Sequence, residues 1–341
     1  MAKSARLDGF KIHKDVVWAS FTWPRGKKKP LGFFFTTLAD KRINISLVTG
    51  VNESLTWRLN IAFESYNAKK ALSLNSGRIG SRNIRTSEGS ILSVFPHRKS
   101  PEITGVILEI FGDKGFKPGA FACSSSAISM FLVDSVIEKA AGDLFESLNF
   151  TAYQTPQDWK LAQKGKEKLF KEVVASYQEK KPKVYFLEWQ DSQSYLQVKT
   201  NIRNMSRMGL VFKQFARLRV PLSFFISGPD AIKNNTDFTF CLPFSSEHAY
   251  PGIIKKIIPD AQITQTDQVA MFSLNGPHFG DRYGIVSELI TSLDHFEVEL
   301  LALSCSIHSI TGVLPVDQAN RAITAIKECF DVPSVLKKTD L

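Results

Sequence analysis

A strand that runs into a glycine-containing turn and then into a helix recurs along this chain. Residues 269–286, VAMFSLNGPHFGDRYGIV, show the pattern: alternating apolar residues predict a strand, and a helical pattern begins after Gly284. Equivalent glycines are predicted to open three other helices, at Gly32, Gly119 and Gly209. Intervals of roughly 75 to 90 residues between these turns indicate a repeated supersecondary unit.

The predicted elements around each turn follow the order strand, helix, strand, strand, helix, strand. The first copy is read from VVWASFT, FFFTTLADKR, INISLVTGV, TWRLNIAFE, NAKKALSLN and SILSVFP. This order defines a ferredoxin-like βαββαβ unit, and the fold class is therefore α+β. The sequence predicts four such repeats in two tandem pairs joined by a helix, with boundaries at 1–98, 99–150, 151–182 (the connecting helix), 183–267 and 268–341.

The second repeat is predicted to be shortened. ITGVILEIFG is interpreted as its first strand, DKGFKPGAF as its glycine turn and SAISMFLVD as its third strand. Much less chain separates Gly119 from Ile128 than separates Gly284 from Ile310. A helix and a strand are therefore expected to be missing from this copy.

Composition limits the class of protein. With 43% hydrophobic and 22% charged residues over 341 positions, the chain has an ordinary globular balance and room for more than one domain. No apolar run approaches the ~20 residues that span a bilayer, and no apolar leader segment starts the chain, so a cytoplasmic location is expected. The four cysteines form no CxxC pair, which predicts reduced thiols and no metal site.

The net charge of +10 leaves nucleic-acid binding open as an alternative, centred on the basic run Lys27–Lys29. Aromatic residues do not interleave with the basic ones as a base-stacking platform requires, so a solvated basic face or a site for small anionic groups is favoured. No GxGxxG, GxxxxGK[ST] or HExxH pattern occurs. The protein is therefore expected not to be an enzyme and to use no cofactor.

Short segments at the repeated turns resemble ACT domains. They are KPLG, FKPG and DRYG before predicted helices, the INI start of a second strand, and the serine–isoleucine–serine strand within SAISMFLVD. As four repeats, the chain resembles the regulatory region of aspartokinase without its kinase domain. The resemblance implies a protein that senses a free amino acid at interfaces between repeats and regulates a partner enzyme of amino-acid biosynthesis. It also implies a homodimer built from side-by-side sheets.

A helix that starts at a glycine turn offers unpaired backbone N–H groups to a carboxylate, and glycine allows the ligand to approach closely. The resemblance places acceptors for the ligand's ammonium group on backbone carbonyls and on an acid or amide side chain. The predicted amino-acid-binding residues are Asn275, Gly280, Asp281, Arg282, Gly284 and Ile285 in the fourth repeat, Gly32, Asn44 and Ile45 in the first, and Lys117 and Gly119 in the second. A purely structural, dimerising protein without a ligand is the other alternative, which the shortened second repeat favours.

Overall fold

The computed structural model describes most of the chain. The described residues are 6–7, 9–24, 30–53, 56–75, 82–95, 100–124, 127–150, 181–230, 234–247, 249–276, 279, 283–306 and 309–337. Several predicted features lie outside them: Lys27–Lys29, residues 151–180 of the connecting helix, and the site residues Gly280, Asp281 and Arg282.

The described residues form eight α-helices, and none of these is both long enough and apolar enough to cross a membrane. The helices are α1 Pro30–Asp40, α2 Ser65–Asn75, α3 Pro101–Lys114, α4 Asp134–Ser147, α5 Met205–Arg217, α6 Tyr250–Ile257, α7 Ile285–His295 and α8 Ala319–Cys329. The strands are β1 Arg6–Leu7, β2 Gly9–Pro24, β3 Ile45–Glu53, β4 Thr56–Glu64, β5 Arg82–Phe95, β6 Ala120–Cys123, β7 Ile128–Leu132, β8 Asn149–Phe150, β9 Phe186–Asn201, β10 Phe224–Pro229, β11 Asn235–Pro243, β12 Gln262–Asn275, β13 Ala302–Ser306, β14 Ser309–Pro315 and β15 Val335–Lys337.

Four long strands, β2, β5, β9 and β12, organise the chain. Strand β5 closes one β-α-β-β-α-β series and opens the next, and β12 does the same in the second half. We name the four series unit A (β2 to β5), unit B (β5 to β8), unit C (β9 to β12) and unit D (β12 to β15). The two halves of the chain therefore have the same element order.

In each half, the first long strand carries a residue with positive φ. This residue lies directly before the point where the strand begins to pair with an inner strand of its own unit, β4 for β2 and β11 for β9. Asp15 of β2 has a φ of 59°, and Ser192 of β9 has a φ of 55°. The register of β2 with β5 shifts between His13 and Val16. Such a bulge bends and twists a strand, which allows one strand to serve two units.

Backbone pairing joins twelve of the described strands into a ring. Its order is β11-β10-β6-β7-β5-β2-β4-β3-β13-β14-β12-β9, and pairing of β9 with β11 closes it. Two antiparallel pairings cross between the halves of the chain, β3 with β13 and β6 with β10. Unit A therefore lies beside unit D, and unit B beside unit C, an arrangement that the sequence left open.

The described residues form three buried hydrophobic cores. Two lie between helices and the outer faces of the sheet, and the third lies between two parts of the sheet that face each other. The A–D core includes side chains of α1 and α7, such as Phe34 and Leu289. The B–C core includes side chains of α3 and α5, such as Phe111 and Phe212. The third core lies between the sheets and is built from strand residues such as Trp18. The mixed helix-and-sheet architecture agrees with the expected class.

Helices α3 and α5 of units B and C pack with their backbones in contact. A Cβ atom added at Gly112 would lie 2.2 Å from the backbone nitrogen of Ser206, and one added at Gly209 would lie 2.6 Å from the carbonyl oxygen of Gly105. Glu109 and Lys213 form an ion pair beside this contact. Because only glycine fits at such an approach, α3 and α5 leave no gap at Gly105, Gly112 and Gly209.

A buried group of charges connects unit A with unit C across the space between the sheets. Arg58 of β4, whose side chain is 7% exposed, donates to Asp230 at 2.9 Å and also pairs with Asp237 and Glu53. Lys199 of β9 donates to Glu53 at 2.9 Å. Burial raises the pKa of Asp237 from its ordinary value to about 6, although Arg58 opposes that rise. We call these five residues the ionic cluster.

The structure corrects the interpretation of the second repeat. ITGVILEIFG was expected to be a strand, and it lies instead in α3, which ends at Gly115 with a φ of 71°. Gly119 therefore opens no helix and lies between α3 and β6. The expectation of a missing helix and strand is also wrong, because β5 supplies the first strand of unit B. A short apolar run fits a buried strand as well as a buried helix.

Two glycine substitutions test the close packing of α3 on α5. Gly209→Ala is expected to lower the free energy of unfolding by about 1–3 kcal/mol, because the new methyl group meets backbone atoms that cannot move aside. Gly142→Ala in α4, where nothing lies within 4 Å of the added Cβ atom, is expected to raise it by about 0.5–1 kcal/mol. Urea unfolding of both variants measures the difference, and equal effects would contradict the packing described here.

The buried carboxyl of Asp237 predicts a pH dependence of stability. Its pKa is raised in the folded protein, so its contribution to stability grows as the pH falls through about 6 toward the ordinary value of 3.8. Between pH 7 and pH 5, the wild-type protein is expected to gain about 1 kcal/mol relative to the Asp237→Asn variant. Urea unfolding of both proteins at the two pH values measures this; a constant difference between them would contradict it.

Candidate functional site

A pocket opens between units A and D where the C-terminal end of α1 faces the N-terminal end of α7. Its volume is about 400 Å³, including the part open to solvent. The residues that line it come from both units: Phe35, Leu38, Ala39, Ile43, Asn44 and Ile45 from unit A, and Phe279, Gly284, Ile285, Val286, Ser287, Cys305 and Ile310 from unit D. We call it the A–D pocket.

The α7 side of the pocket is a helix start. Gly284 is its N-cap residue, with a φ of 85°, a conformation that glycine adopts without strain. The carbonyl of Gly284 accepts the first helical hydrogen bond, from the backbone nitrogen of Glu288 at 2.8 Å. The backbone N–H groups of the residues between them have no partner within the helix. They lie at the positive end of the helix dipole, where a carboxylate is stabilised.

The α1 side of the pocket is the turn from α1 into β3. Arg42 has a φ of 53°, and the backbone nitrogen of Ile43 donates to the carbonyl of Leu38 at 2.9 Å. This turn ends the helix and brings Asn44 to the pocket wall. The Oδ1 atom of Asn44 accepts from the backbone nitrogen of Ile45 at 3.0 Å. An amide oxygen is a good acceptor for an ammonium group, and Asn44 is the amide side chain on this wall of the pocket.

Helices α1 and α7 touch near the pocket by short side chains. The hydroxyls of Thr36 and Ser287 lie 2.9 Å apart and share a hydrogen bond. A Cβ atom added at Gly284 would lie 3.2 Å from the Cβ of Ala39. Contact between α1 and α7 is therefore made without the backbone overlap that closes the B–C interface, and it leaves the pocket open.

The walls of the pocket are mainly apolar. Among the lining residues that the structure describes, only Asn44 and Ser287 have polar side chains apart from the thiol of Cys305. Burial raises the pKa of Cys305 to about 12, so this group stays a neutral thiol and not a nucleophile. The described part of the pocket can thus hold an apolar group between polar ends.

Two tyrosines stand near the α7 side of the pocket. Tyr283 precedes Gly284 and is exposed, and Tyr66 of α2 lies within electrostatic range of it. A hydrogen bond to Glu64 raises the pKa of Tyr66 to about 12. Tyr66 therefore remains a neutral donor at physiological pH and holds the Glu64 carboxylate beside it.

Four of the predicted binding residues meet in the A–D pocket: Asn44, Ile45, Gly284 and Ile285. Asn275 is not among its lining residues, and its carbonyl accepts from the backbone nitrogen of Tyr185 at 2.9 Å. Gly32 lies within α1, where an added Cβ atom would meet Asp294 of α7 at 2.9 Å. Asn275 therefore contributes to backbone pairing at the end of β12, and Gly32 contributes to the contact between α1 and α7.

The predicted residues of the second repeat lie elsewhere. Lys117 lines a groove of about 960 Å³, including open solvent, between the end of α3 and the start of α5. Gly119 is excluded from the groove: its backbone nitrogen donates to Phe131, and an added Cβ atom would lie 2.9 Å from the Phe131 ring. The structure therefore does not bring Lys117 together with the A–D pocket.

The sequence missed most of the apolar wall. Phe35, Leu38 and Ile310 have the spacing of ordinary core residues, and only the pairing of unit A with unit D turns them toward a shared pocket. Among the described residues, no group of three or more His, Cys, Asp or Glu side chains is arranged to hold a metal ion.

Comparison with known proteins gives a fold. No protein-family model matches the chain, and no curated protein resembles it in sequence. The aspartate kinase from Synechocystis superposes on 98% of this chain with a TM-score of 0.78 and 14% sequence identity. The chain has an aspartate-kinase-like fold. It spans 57% of the length of that kinase.

Other solved structures with lower similarity include regulatory subunits of aspartate kinases. The ligand-free subunit from Thermus thermophilus covers 43% of this chain at a TM-score of 0.39 and 11% identity, with 99% of its own length aligned. The subunit from Thermus flavus covers 44% at a TM-score of 0.39 and 12% identity, with 99% of its own length aligned.

The expectation that this protein is not an enzyme is contradicted by the superposition on the Synechocystis protein. Almost the whole chain matches part of an aspartate kinase, which is an enzyme. The absence of nucleotide-binding glycine motifs from these 341 residues was therefore a wrong basis for that prediction.

Replacing Gly284 by alanine tests the strain at the start of α7. The variant is expected to lose about 1–2 kcal/mol of unfolding free energy from its φ of 85°, and more from contact with Ala39. Gly115→Ala is the matched control, because its φ is 71° and nothing lies within 4 Å of the added Cβ atom. Urea unfolding compares the two, and a larger loss at Gly115 would contradict the contact.

Proposed function

We propose that this chain is an amino-acid-sensing regulatory unit of the aspartate-kinase type, and that units A to D are ACT domains. The observation that carries the proposal is the A–D pocket. Two sequence-predicted elements, the start of α7 and the α1–β3 turn, lie far apart in the chain and meet around this one pocket. The similarity of almost the entire chain to an aspartate kinase supports the fold on which the proposal depends.

The pocket suits the two charged ends of a free amino acid. Its carboxylate accepts from the unpaired N–H groups at the start of α7, within the first turn where the helix dipole acts. Its ammonium group donates to Oδ1 of Asn44 and to backbone carbonyls of the α1–β3 turn. Each end of the ligand thus binds a different unit, so occupancy depends on how units A and D are placed.

The apolar wall indicates the class of side chain. Phe35, Ile43 and Ile310 line the pocket, and no charged side chain does so among its described lining residues. Burying a ligand's ammonium or guanidinium side chain there without a partner would be costly. Leucine, isoleucine, valine or methionine is therefore expected to bind more tightly than lysine or arginine.

Regulation follows from differential binding. An amino acid that bridges α1 and α7 stabilises the arrangement in which both of its ends are satisfied, and it shifts the population toward that arrangement. We propose that this shift changes the rate of an aspartate-kinase reaction. Units B and C, whose helices pack through glycines, would act mainly as a structural pair. The purely structural alternative therefore remains open for the B–C pair.

The predicted homodimer was based on side-by-side sheets from two chains, and part of this argument no longer applies. The sheet edges that ACT proteins pair between chains are paired here within one chain, through β3 with β13 and β6 with β10. A homodimer stays a prediction, and its interface would have to differ from these two pairings.

A thermal-shift screen against the twenty amino acids tests the proposal. At a concentration of about 100 times the dissociation constant, a ligand should add about 2.7 kcal/mol to the unfolding free energy. An apolar amino acid is expected to raise the midpoint most. No shift with any amino acid would favour the structural alternative, and a shift that followed added nucleic acid alone would favour the nucleic-acid alternative.

Substitutions in the pocket locate the site. Asn44→Ala is expected to weaken binding of the best ligand by roughly tenfold, since one hydrogen bond to a charged group is lost. Ala39→Leu fills the pocket and is expected to abolish the thermal shift. Asn149→Ala, an exposed asparagine in β8, is the control and should bind as the wild type does. Equal binding by all three variants would contradict this location.

A further inference from the structure

The space between the two facing parts of the sheet has chemically different ends. Strand β3 runs from one end to the other: Glu53 of the ionic cluster is its last residue, and Ser46 is its second residue. These two residues are roughly 23 Å apart along the strand. At the Ser46 end, a cleft of about 370 Å³, including open solvent, enters between the sheets.

Hydroxyl groups and the ammonium group of Lys11 line this cleft. Its polar lining residues are Lys11, His13, Ser46, Ser93, Ser129 and Ser306. No carboxylate belongs to the described lining, in contrast to the ionic cluster, where Glu53 and two aspartates surround Arg58. The charge in this cleft therefore has no acidic counterpart on the cleft wall.

The chain places Ser46 in the cleft by a local irregularity. The register of β3 with β4 shifts between Ile45 and Leu47, so Ser46 is the extra residue of a bulge. Bulges re-aim side chains and are frequent beside functional sites. Ser46 is 5% exposed and lines the cleft. A serine hydroxyl at the wall of a cleft can donate a hydrogen bond to a ligand or to water.

Three other hydroxyls of the cleft, those of Ser93, Ser129 and Ser306, already take part in one hydrogen bond each. Ser93 and Ser129 lie 2.8 Å apart and share one hydrogen bond, so one of their two protons is free to donate elsewhere. The hydroxyl of Ser306 lies 3.1 Å from that of Ser309, so one proton of this pair is likewise left to donate to a ligand. Donors from β3, β5, β7 and β13 thus converge on one cleft that belongs to units A, B and D.

We propose that this cleft binds a phosphate group, either as inorganic phosphate or as part of a small phosphate monoester. A tetrahedral oxyanion accepts hydrogen bonds in several directions, which matches serine hydroxyls from four strands. Lys11 supplies the compensating charge, and such charge-assisted hydrogen bonds are the strong ones. The site is separate from the A–D pocket, and it does not depend on amino-acid binding there.

Isothermal titration of the full chain with inorganic phosphate at low ionic strength tests the site, with glycerol phosphate as a second probe. Lys11→Ala and Ser46→Ala are each expected to raise the dissociation constant about tenfold. Lys14→Ala is the matched control on the same strand, because Lys14 is exposed and does not line the cleft. It should stay within about twofold of the wild type, as one peripheral surface charge contributes little.

Three results would overturn the proposal. One is the absence of any heat with either probe at 10 mM, chosen as about the weakest binding such a titration detects. Another is an equal loss in the Lys11 and Lys14 variants, which would mean general attraction to a basic surface. The third is loss of phosphate binding in Ala39→Leu, which would place the phosphate in the A–D pocket. Tighter binding of glycerol phosphate than of inorganic phosphate would support a monoester as the ligand, and the reverse would support free phosphate.

Discussion

The antiparallel pairing of β3 with β13 is the contact on which the candidate site depends. It joins residues from opposite halves of the chain, with Leu47 opposite Ser306 and Val51 opposite Ala302. Because it fixes the two strands side by side, it also fixes α1 beside α7 above them. The A–D pocket depends on this alignment, since its described lining residues come from both units.

Strand β3 also connects the features that lie far apart in space. Its first residues border the A–D pocket and the cleft at Ser46, and its last residue, Glu53, belongs to the ionic cluster. A strand within a closed sheet shifts as a unit, because its backbone groups bond alternately to the strands on its two sides. A ligand that moves the start of β3 is therefore expected to act on Arg58 and, through it, on Asp230 and Asp237 of unit C.

Much of the element order could be predicted from the sequence, because units A, C and D show clear periodicity. Gly284 opens α7 as predicted, and this helix buries Ile285, Leu289 and Leu293. The predicted helix-opening glycines Gly32 and Gly209 lie instead within α1 and α5. The error in unit B arose because β5 serves two units, and a shared strand leaves no separate segment to detect. The site was found only in part, since Asn44 and Gly284 mark turns locally, whereas the apolar wall depends on contacts between units distant in sequence.

The identical element order of the two halves has a consequence for symmetry. If the halves were separate, identical chains, a two-fold axis would relate the A–D and B–C pairs, and any substitution would appear in both. Within one polypeptide, each half carries its own sequence, so the two pairs can change independently. Here α3 and α5 of one pair meet through glycines, whereas α1 and α7 of the other pair border a pocket. A single polypeptide can thus present two different helix contacts on two copies of the same architecture.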